Sequence, residues 1–203
     1  MEKLEIFGYR TIPAGQTVRQ PLSWRAFQRY LGRLASRKAH GPDGVPAELL
    51  KAACKPFQRR LWALVNEILA HKFELPAEVM ISKIRLLYKK NESDRIENYR
   101  PIALLNSIYQ LLNCVLTDRY QRLTERHCVL ETSQFGNRWL RGVPMSAQKQ
   151  QWLLREVQRS NGTLLRIDLD CVNAFNACSH AAIWAVLAKL GVPDGCGSSQ
   201  IAL

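Results

Sequence analysis

The sequence predicts an α+β fold that is mostly helical, with a β-hairpin and one further strand as its main sheet elements. Apolar residues recur at helical spacing in segments 23–34, 47–70, 106–127, 145–159 and 180–190. Two short runs, 81–88 and 99–105, flank a polar turn and suit paired strands. A third short apolar run, Thr163–Asp170, follows the turn-forming pair Asn161-Gly162 and predicts a strand that is buried on at least one face.

The charge balance favours an anionic partner. The chain has 203 residues, which suits one or two domains, and 29 Lys and Arg against 17 Asp and Glu give a net charge of +12. Such an excess is typical of nucleic-acid-binding proteins, although an acidic protein or an anionic membrane surface would also attract it. No apolar run approaches the roughly 18 residues of a membrane span. We therefore expect no membrane partner.

The cysteines predict an intracellular protein. The six cysteines are scattered, with no Cys-x-x-Cys pair and no histidine at the spacing of a zinc site, so we expect reduced thiols. Residues 1–10 lack the apolar centre of a secretory signal. A nuclear and a cytoplasmic location both remain open.

The first predicted helix begins after an irregular lead-in, residues 1–21. Ser23 can cap it, and the apolar residues Trp24, Phe27, Leu31 and Leu34 share one of its faces. The other face is basic, which suits either a solvated surface or contact with phosphates. Its cations are Arg25, Arg29, Arg33, Arg37 and Lys38.

The loop His40–Pro46 leads into the second helical segment. Asp43-Gly44 forms its turn, and Pro46 suits the first position of a helix. The helical pattern of residues 47–70 should divide at Pro56, because proline cannot donate a hydrogen bond within a helix.

The predicted hairpin has one apolar and one basic side. On its first strand Ile84, Leu86 and Tyr88 alternate with Lys83 and Arg85. Residues 83–100 contain six basic and three acidic side chains. The proline at position 101 suits a strand start or an edge strand.

The later helices complete the fold. We expect Trp152, Leu153 and Val157 to form the core side of helix 145–159, and Gly191 to end the last helix.

The third predicted strand carries the candidate chemistry. Asp168 and Asp170 are two residues apart and therefore share a face of the strand. A carboxylate at the end of a buried strand can hold a divalent cation through oxygen, whereas the alternative is an acidic strand edge that faces water.

Three ordered motifs resemble the reverse transcriptase (RNA-directed DNA polymerase) domain of non-LTR, LINE-type retrotransposons. They are GPDGVPAELL, NYRPIALLNSIY, and Asp170 followed by Ala174 and Phe175; the segment SQFGNR matches the family more weakly. The resemblance covers roughly residues 22–194. It implies a fingers-like region at 22–160, a partial palm at 161–194 that contributes the first palm strand and helix, and a tail at 195–203.

The resemblance also implies roles for individual residues. In this family two Mg²⁺ ions support nucleotidyl transfer, so Asp170 would be the catalytic metal ligand, with the backbone carbonyl of Cys171 beside it. Asp168 is the rival if the strand register is shifted. Arg100 would grip the triphosphate of an incoming deoxynucleotide with Lys89 or Lys90.

Further residues would contact the nucleotide or the nucleic acid. Asn173 would offer its backbone N–H to the triphosphate, and Phe175 would lie beneath the sugar. The partners implied are an RNA template, an RNA–DNA duplex and deoxynucleoside triphosphates. The candidate nucleic-acid contacts are Lys38, Gly41, Asp43, Gly44, Lys83, Arg85 and Arg138.

The sequence lacks several parts of the family's pattern. The family's second catalytic block contains an Asp-Asp pair, and no such dipeptide occurs in this sequence. The remaining palm and the thumb are likewise not recognisable. We therefore expect a fragment of a polymerase that is inactive alone. The alternatives are a non-catalytic basic module that binds RNA or an RNA–DNA duplex, and a scaffold for an acidic protein.

Overall fold

The computed structural model describes residues 11–13, 18, 20–70, 72, 75–89, 92–138, 140–171 and 174–192. These residues form an α+β fold, which confirms the predicted fold class. Within the described ranges, no helix combines the length and the apolar character needed to cross a membrane. In chain order the elements are α1 (Trp24–Arg33), α2 (Ala47–Ala52), α3 (Lys55–Leu69), α4 (Ala77–Met80), β1 (Lys83–Tyr88), a single 3₁₀ turn (Ile96–Asn98), β2 (Tyr99–Leu104), α5 (Ser107–Arg126), α6 (Val143–Arg159), α7 (Ala174–Ala177) and α8 (His180–Lys189).

The chain forms two compact units. The described part of the N-terminal unit lies between residues 18 and 120. The C-terminal unit joins residues 11–13 to the described residues from 121 to 192. Within the latter, the backbone N–H of Ile12 donates to the carbonyl of Leu190 at 2.8 Å.

The core of the N-terminal unit lies among α1, α2, α3 and α5. Phe27, Val65, Leu111 and Val115 are completely buried there. They lie on the apolar faces that the helical spacing predicts. The hydroxyl oxygen of Ser23 accepts from the N–H of Ala26 at 3.3 Å, so this residue caps α1 as predicted.

Polar contacts between distant residues fix α1 in this unit. The Tyr30 hydroxyl donates to Asp118 on α5 at 2.5 Å, and Arg33 donates to the same carboxylate at 3.2 Å. The Asn66 side chain accepts from the backbone N–H of Leu22 at 2.6 Å and donates to its carbonyl at 3.1 Å. The two bonds from Asn66 satisfy backbone groups of Leu22, which lies next to the apolar core.

The break between α2 and α3 lies slightly earlier than Pro56. Cys54 is the N-cap of α3, so Pro56 occupies its first turn, where the missing N–H has no helical partner to lose. The buried amide of Gln58 donates to the carbonyls of Leu50 and Lys51 at 3.2 and 3.0 Å. It thereby satisfies carbonyls at the end of α2.

A buried asparagine joins three segments before α5. The Asn106 amide oxygen accepts from the N–H of Asp43 at 3.2 Å, and its nitrogen donates to the carbonyls of Glu78 and Val79 at 3.3 and 3.0 Å. A Cβ at Gly41 would lie 2.5 Å from the Asn106 backbone nitrogen. Glycine is therefore required for this close approach of two backbones.

The C-terminal unit differs from two predictions. α6 forms over the predicted range, but it buries none of its residues: Trp152 is 63 % exposed, Leu153 is 43 % exposed, and Val157 is half-buried. The predicted core side of this helix is therefore wrong. Periodicity shows which side chains share a face, but it does not show that another element covers that face.

The predicted strand Thr163–Asp170 is also absent. All of its residues are exposed, and it forms neither a helix nor a paired strand with any described residue. A strand requires the backbone groups of a neighbour, and the described part of the chain places none beside this segment.

We predict that Asn106→Ala lowers the free energy of unfolding by about 2–3 kcal/mol, because it leaves buried backbone groups unpaired. Chemical denaturation followed by circular dichroism measures the change. Asn113→Ala, at a half-buried position of α5, is the matched control and should cost less than half as much. Equal losses in the two variants would contradict the role of Asn106.

Candidate nucleic-acid interface

The pairing of β1 with β2 assembles a cluster of cations. The strands are antiparallel, and residues directly opposite one another project to the same face. Leu87 is opposite Arg100, so Arg100 shares a face with Lys83 and Arg85. We call this surface the basic face; it comprises Lys83, Arg85, Leu87, Arg100, Ile102 and Leu104.

The opposite face of the hairpin is apolar and aromatic. Ile84, Leu86, Tyr88 and Tyr99 lie there, and the rings of the two tyrosines meet edge to face with centroids 5.6 Å apart. The alternation along β1 is thus the one that the sequence predicts. The hairpin separates its cations from its aromatic residues.

Hydrogen bonds at the turn hold the hairpin closed. The N–H of Lys89 donates to the carbonyl of Asn98 at 2.8 Å, and the Asn98 amide donates to the carbonyl of Glu92 at 2.6 Å. The Tyr99 hydroxyl donates to the carbonyl of Ser93 at 2.8 Å. These bonds stabilise the register that brings Arg100 opposite Leu87.

The three cations of the basic face are accessible. Lys83, Arg85 and Arg100 are exposed, and no carboxylate of the described residues forms an ion pair with them. A guanidinium can bond two phosphate oxygens at once through its planar fork. Arg85 and Arg100 are diagonal neighbours, a relation in which backbone positions lie about 7–8 Å apart. The face therefore presents three accessible cations close together.

The two lysines after β1 extend this surface in part. Lys89 directly follows the strand and is exposed. Lys90 lies outside the described residues.

The loop His40–Pro46 is partly occupied by packing. Gly41 is buried against Asn106, and the Asp43 carboxylate accepts from the N–H of Val45 at 3.1 Å. Gly44 is exposed with a φ of 69°, and Lys38 is exposed as well. Of the predicted contacts in this region, Lys38, Asp43 and Gly44 are exposed, whereas Gly41 is buried.

Arg138 is a buried structural residue. Its guanidinium donates twice to Glu125, at 2.7 and 2.6 Å, and its Nη1 donates to the carbonyl of Glu131 at 2.6 Å. Only 4 % of its side chain is exposed. The hydrogen bonds from Arg138 lower the pKa of Glu125. Glu125 and the carbonyl of Glu131 thus occupy the hydrogen-bond donors of Arg138, the residue that was predicted to contact a nucleic acid.

Asp170 is not part of an acidic cluster. It is exposed, and the neighbouring Asp168 carboxylate accepts from Arg166 at 2.9 Å. Among the described residues, no three acidic, histidine or cysteine side chains converge to hold a metal ion. Two Mg²⁺ ions require several converging carboxylates, so the described residues alone do not fit such a pair.

The other predicted site residues near Asp170 are described only in part. The backbone of Cys171 follows Asp170 without helix or strand, and its side chain is exposed. Asn173 lies outside the described residues, and so does the side chain of Phe175 in α7.

The apolar members of the basic face, Leu87, Ile102 and Leu104, were not predicted from the sequence. Their alternation was legible within each strand, but the face that β2 shares with β1 depends on the pairing register. The connection between the two strands, residues 89–98, is longer than the short hairpin loops whose turn type fixes the register.

The comparisons point to a retroelement. No family model matches the chain. The chain is 22 % identical over 157 residues to a "Retrovirus-related Pol polyprotein from type-1 retrotransposable element R2" of Popillia japonica. The match covers 77 % of this chain and 21 % of that relative, so the chain spans about a fifth of the relative's length. This distant similarity supports a retroelement-related origin.

We predict that Glu125→Gln costs about 2 kcal/mol of stability at pH 7, because it leaves the buried Arg138 guanidinium without its anion. The folded state lowers the pKa of Glu125 below its unfolded value of about 4.3, so the contribution is present above that pH and is lost as the pH falls through the folded pKa. Urea denaturation at several pH values measures the difference between wild type and variant.

This difference should shrink toward zero in acid. Glu156→Gln is the control, because Glu156 forms only an exposed pair with Arg159 at 3.9 Å. A difference for Glu125→Gln that stays constant from pH 7 down to about pH 3 would contradict the assignment.

Proposed function

We propose that this chain derives from the RNA-directed DNA polymerase of a non-LTR retrotransposon and binds RNA or an RNA–DNA duplex through the basic face of its hairpin. The supporting observation is the strand register, which brings Lys83, Arg85 and Arg100 to one accessible face. In the complete polymerase this region would contact the template and the incoming deoxynucleotide. The chain alone binds without catalysing polymerisation.

Phosphate binding is the chemistry that the basic face supports. Each cation that neutralises a phosphate releases a condensed counterion, so binding is sequence-tolerant and weakens steeply with salt. The net charge of +12 adds a long-range attraction that raises the association rate. The exposed Leu87 and Ile102 beside the cations offer apolar contact to sugars and bases.

Polymerisation has no comparable support. Asp170 is exposed, no described carboxylates converge on it, and the sequence has no adjacent Asp pair. If the complete enzyme holds Mg²⁺ at Asp170, further carboxylates must come from residues that the structure does not describe or from another part of a longer protein.

We predict that the triple variant Lys83→Gln/Arg85→Gln/Arg100→Gln weakens binding of single-stranded RNA and of an RNA–DNA duplex at low salt by about 10- to 100-fold. The slope of log affinity against log salt should become shallower by about 2, because each lost phosphate contact removes about 0.7–0.9. Fluorescence anisotropy between about 50 and 300 mM salt measures both quantities.

The control removes the same charge elsewhere. Arg60→Gln/Arg126→Gln/Arg155→Gln changes three exposed arginines on α3, α5 and α6. It should keep most of the affinity and slope of the wild type. Equal losses in the two triple variants would show that net charge, and not the hairpin, binds the nucleic acid.

We further predict no primer extension by the purified chain with Mg²⁺ and deoxynucleotides, because a lone carboxylate cannot organise two metal ions. A labelled primer on an RNA template measures this. Extension that disappears in Asp170→Ala would overturn the statement that this chain alone is inactive, and it would leave the RNA-binding proposal to the anisotropy data.

A further inference from the structure

The exposed segment 163–170 has the pattern of a strand without a partner. Leu165, Ile167 and Leu169 alternate with charged residues and are 83, 72 and 92 % exposed. Arg166 and Asp168, which are two residues apart, meet through a hydrogen bond of 2.9 Å, so they lie on the same side of the chain. One side of the segment is thus apolar, and the other is charged.

The backbone of this segment is available for pairing. No backbone hydrogen bond joins residues 163–170 to another residue that the structure describes. Free N–H and C=O groups in a run of alternating residues are a template for another strand. Three large apolar side chains in water add a driving force for association.

The charges specify the partner. If two copies of the segment pair antiparallel about Ile167, Arg166 of each copy lies opposite Asp168 of the other, and Leu165 lies opposite Leu169. Opposite charges that face each other across strands attract, and apolar pairs add contact. The segment is therefore complementary to itself in this register.

Other registers are less favourable. An antiparallel shift of two residues in one direction places Asp168 opposite Asp168, although Arg166 then lies opposite Asp170. The shift in the other direction places Arg166 opposite Arg166. A parallel in-register pair places both like charges side by side. Like charges directly opposite each other destabilise a strand pair.

We propose that residues 163–170 pair antiparallel with the same residues of a second copy of this chain, with Ile167 on the two-fold axis. The interface is isologous, since the same segment serves both subunits. It uses a different segment from the basic face of the hairpin and goes beyond the proposed nucleic-acid binding. One short strand pair buries little surface, so the dimer forms at micromolar concentrations or above.

Charge variants of the full chain test the proposal. Arg166→Asp places two carboxylates opposite each other in each half of the interface, and Asp168→Arg places two guanidinium groups there. Each variant alone should associate at least about tenfold more weakly than the wild type. Sedimentation equilibrium up to about 100 µM, with a reductant that keeps the exposed Cys171 and Cys178 reduced, measures association.

Two further samples separate pairing from other effects. An equimolar mixture of the single variants restores both cross-strand pairs in the heterodimer, so it should associate about as well as the wild type. In the double variant Arg166→Asp/Asp168→Arg, two copies of the same variant again place opposite charges across the interface, so this variant should dimerise by itself. A merely structural role of the Arg166–Asp168 contact within one copy would not be rescued by mixing.

The outcomes are decisive in both directions. Dimerisation of the wild type with rescue in the mixture supports the strand pair. A wild type that stays monomeric at about 100 µM, single variants that associate like the wild type, or a mixture that stays monomeric would each overturn it. None of these results depends on RNA binding by the hairpin.

Discussion

The amide of Asn106 is the contact on which the N-terminal unit depends. It follows β2 by two residues and directly precedes α5, and it bonds to the backbone of both the 41–46 loop and α4. The next residue, Ser107, donates to the carbonyl of Val45 at 2.7 Å, so two consecutive side chains hold the same loop. Gly41 permits this contact because any Cβ would overlap the backbone of residues 105–106. The point at which the chain passes from β2 into α5 is therefore fixed by hydrogen bonds between two buried side chains, Asn106 and Ser107, and the backbone.

The hairpin that this contact anchors owes its chemistry to strand register. Arg100 is fifteen residues from Arg85 along the sequence, and antiparallel pairing makes them diagonal neighbours on one face. A two-stranded hairpin is only marginally stable by itself. In this hairpin, hydrogen bonds within the 89–98 turn hold the two strands together at the turn. At the open end, Asn106 fixes the chain just after β2. Order in the basic face would lower the entropic cost of the proposed nucleic-acid binding.

Particular residues show what sequence reasoning reached and where it stopped. Local structure was predicted correctly where it depends only on neighbouring residues of the sequence. Examples are the cap at Ser23, the buried face that carries Phe27 and Leu31, and the alternation from Lys83 to Tyr88. Trp152 and Leu165 were assigned to a core and to a strand, and both are exposed, since burial depends on a neighbouring element that their own spacing cannot reveal. An arginine such as Arg138 is chemically suited to bind phosphate, and only the fold shows that its guanidinium is bound to the carboxylate of Glu125. The catalytic role implied for Asp170 remains a prediction.

The central proposal is that one face of the hairpin binds nucleic acid. It rests on a distant similarity to a retrotransposon polyprotein and on the accessible cations of the hairpin. The most direct test is a methyl-labelled NMR titration of the chain with a short RNA. Ile102 and Leu87 report on the basic face, whereas Ile84 and Leu86 report on the opposite face of the same strands. Binding at the basic face predicts shifts for the methyl groups of Ile102 and Leu87 with little change at Ile84 and Leu86. Equal shifts on both faces, or shifts confined to the rest of the chain, would contradict the claim.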